Sequence, residues 1–174
     1  MIAGEGDDAS AAAARAALES GVLGDDWRFG SDLEMGGVSE TDEALGVLMR
    51  SSGARDGDGA GLGVFVEEAE KLGPSGLIVF APPTPGEWMG RVLELAHRRR
   101  LQVVIATDIE PPAVRPDLWR RLLLRGEPSG RNASRDLLEV MEGLQTPNCR
   151  ATVLDRHTGR TLNPQQLRTT AYLG

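Results

Sequence analysis

The sequence predicts an α/β fold: a three-layer, mainly parallel sheet with flanking helices and a C-terminal β-hairpin. Two apolar runs, Leu77–Ala81 and Leu101–Ala106, are separated by a segment with helical periodicity. Continuous apolar runs of this length are typical of strands buried on both faces, and a strand–helix–strand unit gives parallel pairing. Two β-prone runs around His157–Gly159 predict the hairpin. The length of 174 residues predicts one domain, 1–174.

The first half of the chain is expected to be rich in loops. Residues 1–8 are predicted to form a flexible tail. Helical spacing of apolar residues predicts helices over Ser10–Glu19, from Ser39 to Leu48, and from Leu62 to Leu72. The glycine-rich composition of the stretch 51–63 predicts a flexible loop. Its alternating glycines match neither a dinucleotide fingerprint, nor a phosphate-binding loop, nor a calcium loop.

The second half is expected to be more regular. A helix carrying Trp88 and Val92 joins the two apolar runs, and its last turn holds Arg98–Arg100, where cations favour the negative helix end. Two further helices are predicted, one beginning at Pro116 and one from Ser134 to Leu144.

Composition narrows the functional classes. The chain is 40% hydrophobic and 26% charged, which is typical of a globular protein, and its net charge is −7. A uniformly basic nucleic-acid surface is therefore excluded, yet Arg91–Arg135 is rich in arginine. That segment predicts either a basic face or an ordinary solvated helix surface.

The single cysteine, Cys149, excludes an internal disulfide and a zinc site built from several cysteines. No run reaches the ~18 apolar residues of a membrane span, and Met1–Ser10 is acidic rather than signal-like. We therefore expect a cytoplasmic protein without membrane contact.

Ligands of open α/β sheets bind outside the carboxyl ends of the strands. Thr107 and Asp108 follow the second apolar run and could bind a metal, a ribose hydroxyl or an attacking water. Asp108 could equally cap the turn before Pro111. Glu87, at the head of a helix, is a second candidate ligand-binding residue or a partner of the helix dipole.

The sequence assigns no catalytic residue, metal site or cofactor. Only His97 and His157 are available as bases, and neither stands at a motif spacing from a serine or from Cys149. A catalytic triad is not predicted, although triads assemble in space.

The order of an apolar strand, a helix, a strand ending in Ala106-Thr107-Asp108, arginine-bearing helices and a terminal hairpin resembles the C-terminal half of a RecA-like ATPase core. Residues 77–173 are most similar to FtsK-like DNA translocases and conjugation ATPases, in which a comparable helix leads into a strand finishing Ala-Thr.

Two parts of such an ATPase are missing from the sequence. No phosphate-binding loop with lysine and serine or threonine is present, and Ala81-Pro82-Pro83 stands where an acidic pair would end the strand. The resemblance therefore implies a degenerate member that packs on a partner, or that supplies Arg121 or Arg125 to a neighbour.

Together these observations predict a non-catalytic α/β interaction module, in a multi-subunit or nucleic-acid-handling assembly, with a protein partner or as a homo-oligomer. Trp119 is a candidate interface residue, or else part of the core. Nucleic acid could bind through Arg98, Arg99, Arg100, Arg121 and Arg125. The alternative is a small nucleotide-binding protein or enzyme with its site near Asp108, and the sequence leaves enzymatic activity open.

Overall fold

A computed structural model describes most of the chain. The described residues are 1–4, 6–34, 36–52, 58–71, 76–108, 129–162, 165 and 168. Within them the helices are α1 (Asp8–Glu19), α2 (Thr41–Ser51), α3 (Ala60–Glu70), α4 (Trp88–Ala96) and α5 (Ser129–Gly143). The strands are β1 (Leu77–Phe80), β2 (Leu101–Thr107), β3 (Cys149–Asp155) and β4 (Thr161–Leu162).

The four strands form one sheet in the order β1-β2-β3-β4. β1, β2 and β3 are parallel, with Leu77 opposite Leu101 and Leu101 opposite Cys149. β4 pairs antiparallel with β3 over two residues, Val153 opposite Leu162 and Leu154 opposite Thr161. The α/β class and the parallel pairing of the two apolar runs are therefore confirmed.

The larger hydrophobic core covers one face of the sheet. Alternate strand residues such as Val79, Val103 and Val153 are fully buried against α3, α4 and α5. The helical residues of this core include Leu62, Val66, Trp88, Val92, Leu137, Val140 and Leu144. Burial of these aliphatic side chains explains why the regular apolar spacing of the second half predicts its helices well.

A smaller hydrophobic cluster lies on the opposite face. It joins α1 and α2 through Ala14, Leu18 and Val47, and Phe80 packs against it. Because neighbouring residues of a strand point to opposite faces, Val79 in one cluster and Phe80 in the other place the two clusters on opposite sides of the sheet. α1 itself contacts β1 and β2.

The first residues do not form the flexible tail that the sequence predicts. Ile2 and Ala3 are fully buried, and the Ile2 N–H donates to the Phe80 carbonyl at 2.8 Å. The apolar start of the chain extends the edge of β1, and its burial outweighs the acidic, glycine-containing composition that suggested a tail. The helix expected from Ser10 begins earlier, at Asp8.

The predicted glycine-rich loop is shorter than expected, because Ala60–Gly63 belong to α3. Residues 53–57 lie outside the described residues. Gly61 packs so closely on the backbone of Asp32 that a Cβ at this position would clash with it. At least one glycine of this stretch therefore serves helix packing.

Within the described part of the chain, no helix combines the length and the hydrophobicity that crossing a membrane requires.

Candidate functional site

The crevice between the carboxyl ends of β1 and β2 is filled by the protein itself. Ser10, in the first turn of α1, is fully buried. Its hydroxyl donates to the Ala81 carbonyl at 2.6 Å and accepts the Ala106 N–H at 2.9 Å. These two bonds tie together the residues at the carboxyl ends of β1 and β2.

A second buried side chain, Asp32, fixes the segments around this crevice. One carboxylate oxygen accepts the Ala3 N–H at 2.9 Å, and the other accepts the Gly59 N–H at 3.2 Å. Asp32 therefore joins the first residues of the chain to the start of α3. Its contacts are structural, since a buried carboxylate requires such partners.

Asp108 remains at the carboxyl end of β2, where the sequence predicts it. One carboxylate oxygen lies 3.2 Å from the Arg156 guanidinium, and the other lies 3.8 Å from His157 Nε2. All three side chains are about half exposed or more. The preceding residue, Thr107, is buried, and its carbonyl accepts the Arg156 N–H at 3.0 Å.

The turn after β3 brings Arg156 and His157 to Asp108. Asp155, which is buried, accepts the His157 N–H at 2.9 Å and the Thr158 hydroxyl at 2.5 Å. These hydrogen bonds, that of the Thr158 hydroxyl first, hold the pKa of Asp155 below its ordinary value. Gly159, at a φ of +65°, lets the chain reverse toward β4.

Sequence reasoning found Asp108 but did not connect it with Arg156 and His157. The signal was the strand register: Thr107 lies opposite Asp155, so the residues after the two strands meet. Glu87 precedes α4, is exposed and makes no side-chain hydrogen bond that caps this helix. Glu87 follows the end of β1 and Asp108 follows β2, and the ligand-binding role of both residues stays a prediction.

The Asp108 group has limited chemical capacity as it stands. Arg156 and Asp108 form an exposed ion pair, and the 3.8 Å separation from His157 exceeds a hydrogen bond. Among the described residues no three His, Cys, Asp or Glu side chains are grouped as metal ligands. Cys149 is buried, and burial raises the pKa of its thiol, which disfavours the nucleophilic thiolate.

The opposite end of the sheet has a different character. We define the amino edge as Lys71, which follows α3, the connections 97–100 and 144–148 that precede β2 and β3, and Arg150 near the start of β3. The two connections contain no carboxylate in their sequences, although the chain has 26 acidic residues. The cations of the amino edge are Lys71, Arg98, Arg99, Arg100 and Arg150.

Arg99 of the amino edge forms an ion pair with Glu70, the last residue of α3, at 2.9 Å. The side chains of Lys71, Arg98, Arg100 and Arg150 are exposed, and no described carboxylate pairs with them. Four cations of the amino edge are thus available to a partner.

An open groove of about 980 Å³ adjoins the amino edge. Its described lining includes Gln102, Gln145, Thr146, Arg150 and Thr152, and Arg150 is the one charged residue of that lining. Amide and hydroxyl groups therefore continue the edge without adding negative charge.

Several predicted site residues lie outside the described residues. These are Trp119, Arg121 and Arg125, and the helix predicted to begin at Pro116. Their roles stay predictions.

Comparisons with known proteins give no family assignment. No protein-family model matches the chain, and neither the curated proteins nor the solved structures contain a significant match.

Proposed function

We propose that the chain is a non-catalytic interaction module that contacts its partner through the amino edge of the sheet. The observation that supports this most is a group of exposed cations. Four cations at the amino edge, Lys71, Arg98, Arg100 and Arg150, are exposed and have no described carboxylate partner in a chain of net charge −7. Exposed charge of one sign, gathered at one edge, favours association with an oppositely charged partner.

The carboxyl ends of the strands support the same proposal by their packing. Ser10 bonds to Ala81 and Ala106, so the carboxyl ends of β1 and β2 are joined by a buried side chain of the protein. A module of this kind agrees with membership in a multi-subunit or nucleic-acid-handling assembly. The resemblance to a degenerate RecA-like subunit stays a prediction, and the proposal does not depend on it.

The second candidate is a small nucleotide-binding protein or enzyme with its site at Asp108. The grouping of Asp108 with Arg156 and His157 favours it, because a carboxylate, a guanidinium and an imidazole can together bind a phosphate or move a proton. Thr107 directly precedes Asp108, and its carbonyl accepts the Arg156 N–H at 3.0 Å.

Two measurements separate the candidates. A thermal-shift panel of ATP, GTP, NAD and Mg²⁺ should leave the protein unchanged if the module proposal is correct. A ligand at ten times its Kd stabilises a protein by about 1.4 kcal/mol, so real binding would be visible. Stabilisation that disappears in Asp108→Asn would contradict the proposal and support the second candidate.

The second measurement tests binding to heparin, which serves as a generic polyanion. We define the edge variant as Arg98→Gln with Arg100→Gln, and the matched variant as Arg15→Gln with Arg50→Gln. The two variants lose the same charge, but Arg15 and Arg50 lie in α1 and α2. Wild type and the matched variant should be retained on heparin at low salt, and the edge variant should not. Equal retention of all three proteins would contradict the proposal.

A further inference from the structure

We propose that the outer edge of β1 joins two copies of this chain into a dimer, by antiparallel pairing of β1 with β1 of the second copy. The surface consists of Leu77–Phe80 and contains none of the cations of the amino edge. The dimer therefore goes beyond the proposed function and does not depend on it.

Backbone groups on the outer side of β1 are open to another strand. Because Ala81 donates its N–H to the Val104 carbonyl of β2, the backbone groups of Ala81 face the sheet. Those of Phe80 and Ile78, an odd number of residues earlier, face outward, since successive residues of a strand alternate. The Phe80 carbonyl accepts the Ile2 N–H at 2.8 Å, whereas among the described residues the Ile78 N–H and carbonyl have no hydrogen-bond partner. A donor and an acceptor on this edge thus remain for a further strand.

The side chain of Ile78 makes this edge apolar. It is 42% exposed, and it alone lies on a strand among the exposed large hydrophobic side chains of the described residues. The others, which lie in turns and helices, are Val22, Leu33, Met49 and Val64. Leu77–Phe80 contains neither a charged residue nor a proline, features that commonly protect an edge strand from pairing. At the opposite edge of the sheet, β4 has the exposed and polar Thr161 instead, so apolar surface and open backbone groups coincide at β1.

A second copy of β1 fits this edge because it carries the same open groups. In an antiparallel pair about a two-fold axis at Ile78, the Ile78 N–H of each copy donates to the Ile78 carbonyl of the other. Leu77 then lies opposite Val79 of the second copy, and no like charges oppose each other. The two Ile78 side chains meet on one face of the joined sheet, where each covers part of the exposed surface of the other. Such a contact closes at two copies, because each chain has one β1.

The Ile2 contact limits the length of the pairing. Ile2 occupies the Phe80 carbonyl, so the added strand can pair with Leu77–Val79 but not beyond. Stable protein interfaces bury about 1,200 to 2,000 Å² of surface, and three residue pairs bury much less. We therefore expect a weak, reversible dimer whose population rises with the concentration of the protein.

Sedimentation equilibrium of the full chain, from about 10 µM to about 1 mM, measures the dimer. Wild type should shift from monomer toward dimer across this range. Ile78→Lys should lower the association constant about tenfold or more, because it removes the apolar contact and places two like charges opposite each other. Met49→Lys makes the same exchange at a more exposed residue of α2, and this control should dimerise as wild type does.

Hydrogen exchange of the backbone amides tests the edge itself. The Ile78 N–H of wild type should exchange several-fold more slowly at about 1 mM than at about 10 µM. The Val79 N–H, which faces β2, should be protected at both concentrations. This measurement needs no variant. Circular dichroism verifies that each variant is folded, and Ile78→Thr, which keeps the β-branched shape, replaces Ile78→Lys if the lysine prevents folding.

A wild type that stays monomeric up to about 1 mM would overturn the inference. So would a dimer that Ile78→Lys and Met49→Lys weaken equally, because association would then follow net charge rather than the edge. Species larger than a dimer, or an Ile78 N–H whose exchange does not depend on concentration, would also overturn it, since neither agrees with one pairing edge in each copy. None of these results bears on heparin retention, which tests the amino edge.

Discussion

The two edges of one sheet differ in how they use their polar groups. At the carboxyl edge, Ser10, Asp32 and Asp155 are buried and bonded to backbone groups. At the amino edge, Arg98 and Arg100 are exposed and have no carboxylate partner among the described residues. These buried groups of the first edge bond to the protein's own backbone, whereas these arginines of the second edge are exposed.

The parallel arrangement makes this contrast possible. Because β1, β2 and β3 run in the same direction, all connections that precede them meet at one edge. Short loops that are separate in sequence thus combine their charges. The comparison shows that a parallel sheet can combine the charges of its amino-end connections while buried side chains join the carboxyl ends of its strands.

The largest expected effect on stability concerns Asp32. Its replacement by alanine leaves the buried N–H groups of Ala3 and Gly59 without their acceptor. Each unsatisfied buried group costs about 1 to 3 kcal/mol, so we expect Asp32→Ala to lower the free energy of unfolding by about 3 kcal/mol. Urea denaturation measures this, with the exposed Asp26→Ala as control. A loss below about 1 kcal/mol would show that the carboxyl edge is not held as described.

Ser10→Ala should have the next largest effect. It removes one donor and one acceptor between α1 and the residues at the ends of β1 and β2, and we expect a loss of about 2 kcal/mol. Ser20, whose exposed hydroxyl donates to Ala17, provides the control. If Ser10→Ala and Ser20→Ala were equally mild, the crevice would be open enough for water to replace the hydroxyl.

The lowered pKa of Asp155 predicts that the stability of the protein depends on pH. Its pKa is lowered in the folded protein, so its stabilising contribution is complete above the ordinary aspartate pKa of about 4 and is lost as the pH falls through the lower, folded value. The stability difference between wild type and Asp155→Asn should therefore shrink on acidification below about pH 4. Denaturation curves from pH 2 to 7 check this. A difference that stays constant would contradict the hydrogen bonds from Thr158 and His157.

The edge variant should scarcely change stability. Arg98 and Arg100 are exposed and pair with no described carboxylate, and surface substitutions of this kind usually stay within about 0.5 kcal/mol. Thermal denaturation beside the matched variant measures the change. A marked loss would show that these arginines stabilise the C-terminal end of α4 rather than serve a partner.

The effect of Asp108→Asn is also expected to be small. The exposed pair with Arg156 contributes at most about 1 kcal/mol, and the contribution is screened by salt. The difference from wild type should be detectable only at low ionic strength. A loss that persists at 1 M salt would indicate a more buried and more functional site than the exposure of these residues implies.

The sequence was sufficient to predict the regular strands and helices of the second half of the chain. The runs at 77–81 and 101–106 became β1 and β2, and Trp88 and Val92 point into the core, because continuous burial leaves a clear apolar pattern. The prediction of a flexible tail was wrong for the opposite reason. Ile2 is buried, and its N–H donates to the Phe80 carbonyl. This tertiary contact leaves no periodic signal in the sequence.

The candidate sites were predictable only in part. Asp108 was found because it ends an apolar run, but its neighbours Arg156 and His157 follow a different strand, and only the register unites them. Arg98–Arg100 were noticed as a cluster. Their union with Lys71 and Arg150 required the knowledge that three strands begin at one edge.

The most direct test of the central contrast is a residue-resolved NMR titration of the full chain with heparin. The account predicts amide shift changes at 97–102 and 145–151 that grow together and vanish at high salt. It also predicts none at 82–87, at Asp108 or at 156–158. Changes confined to the carboxyl edge would contradict the account, because the partner would then bind where the structure is closed.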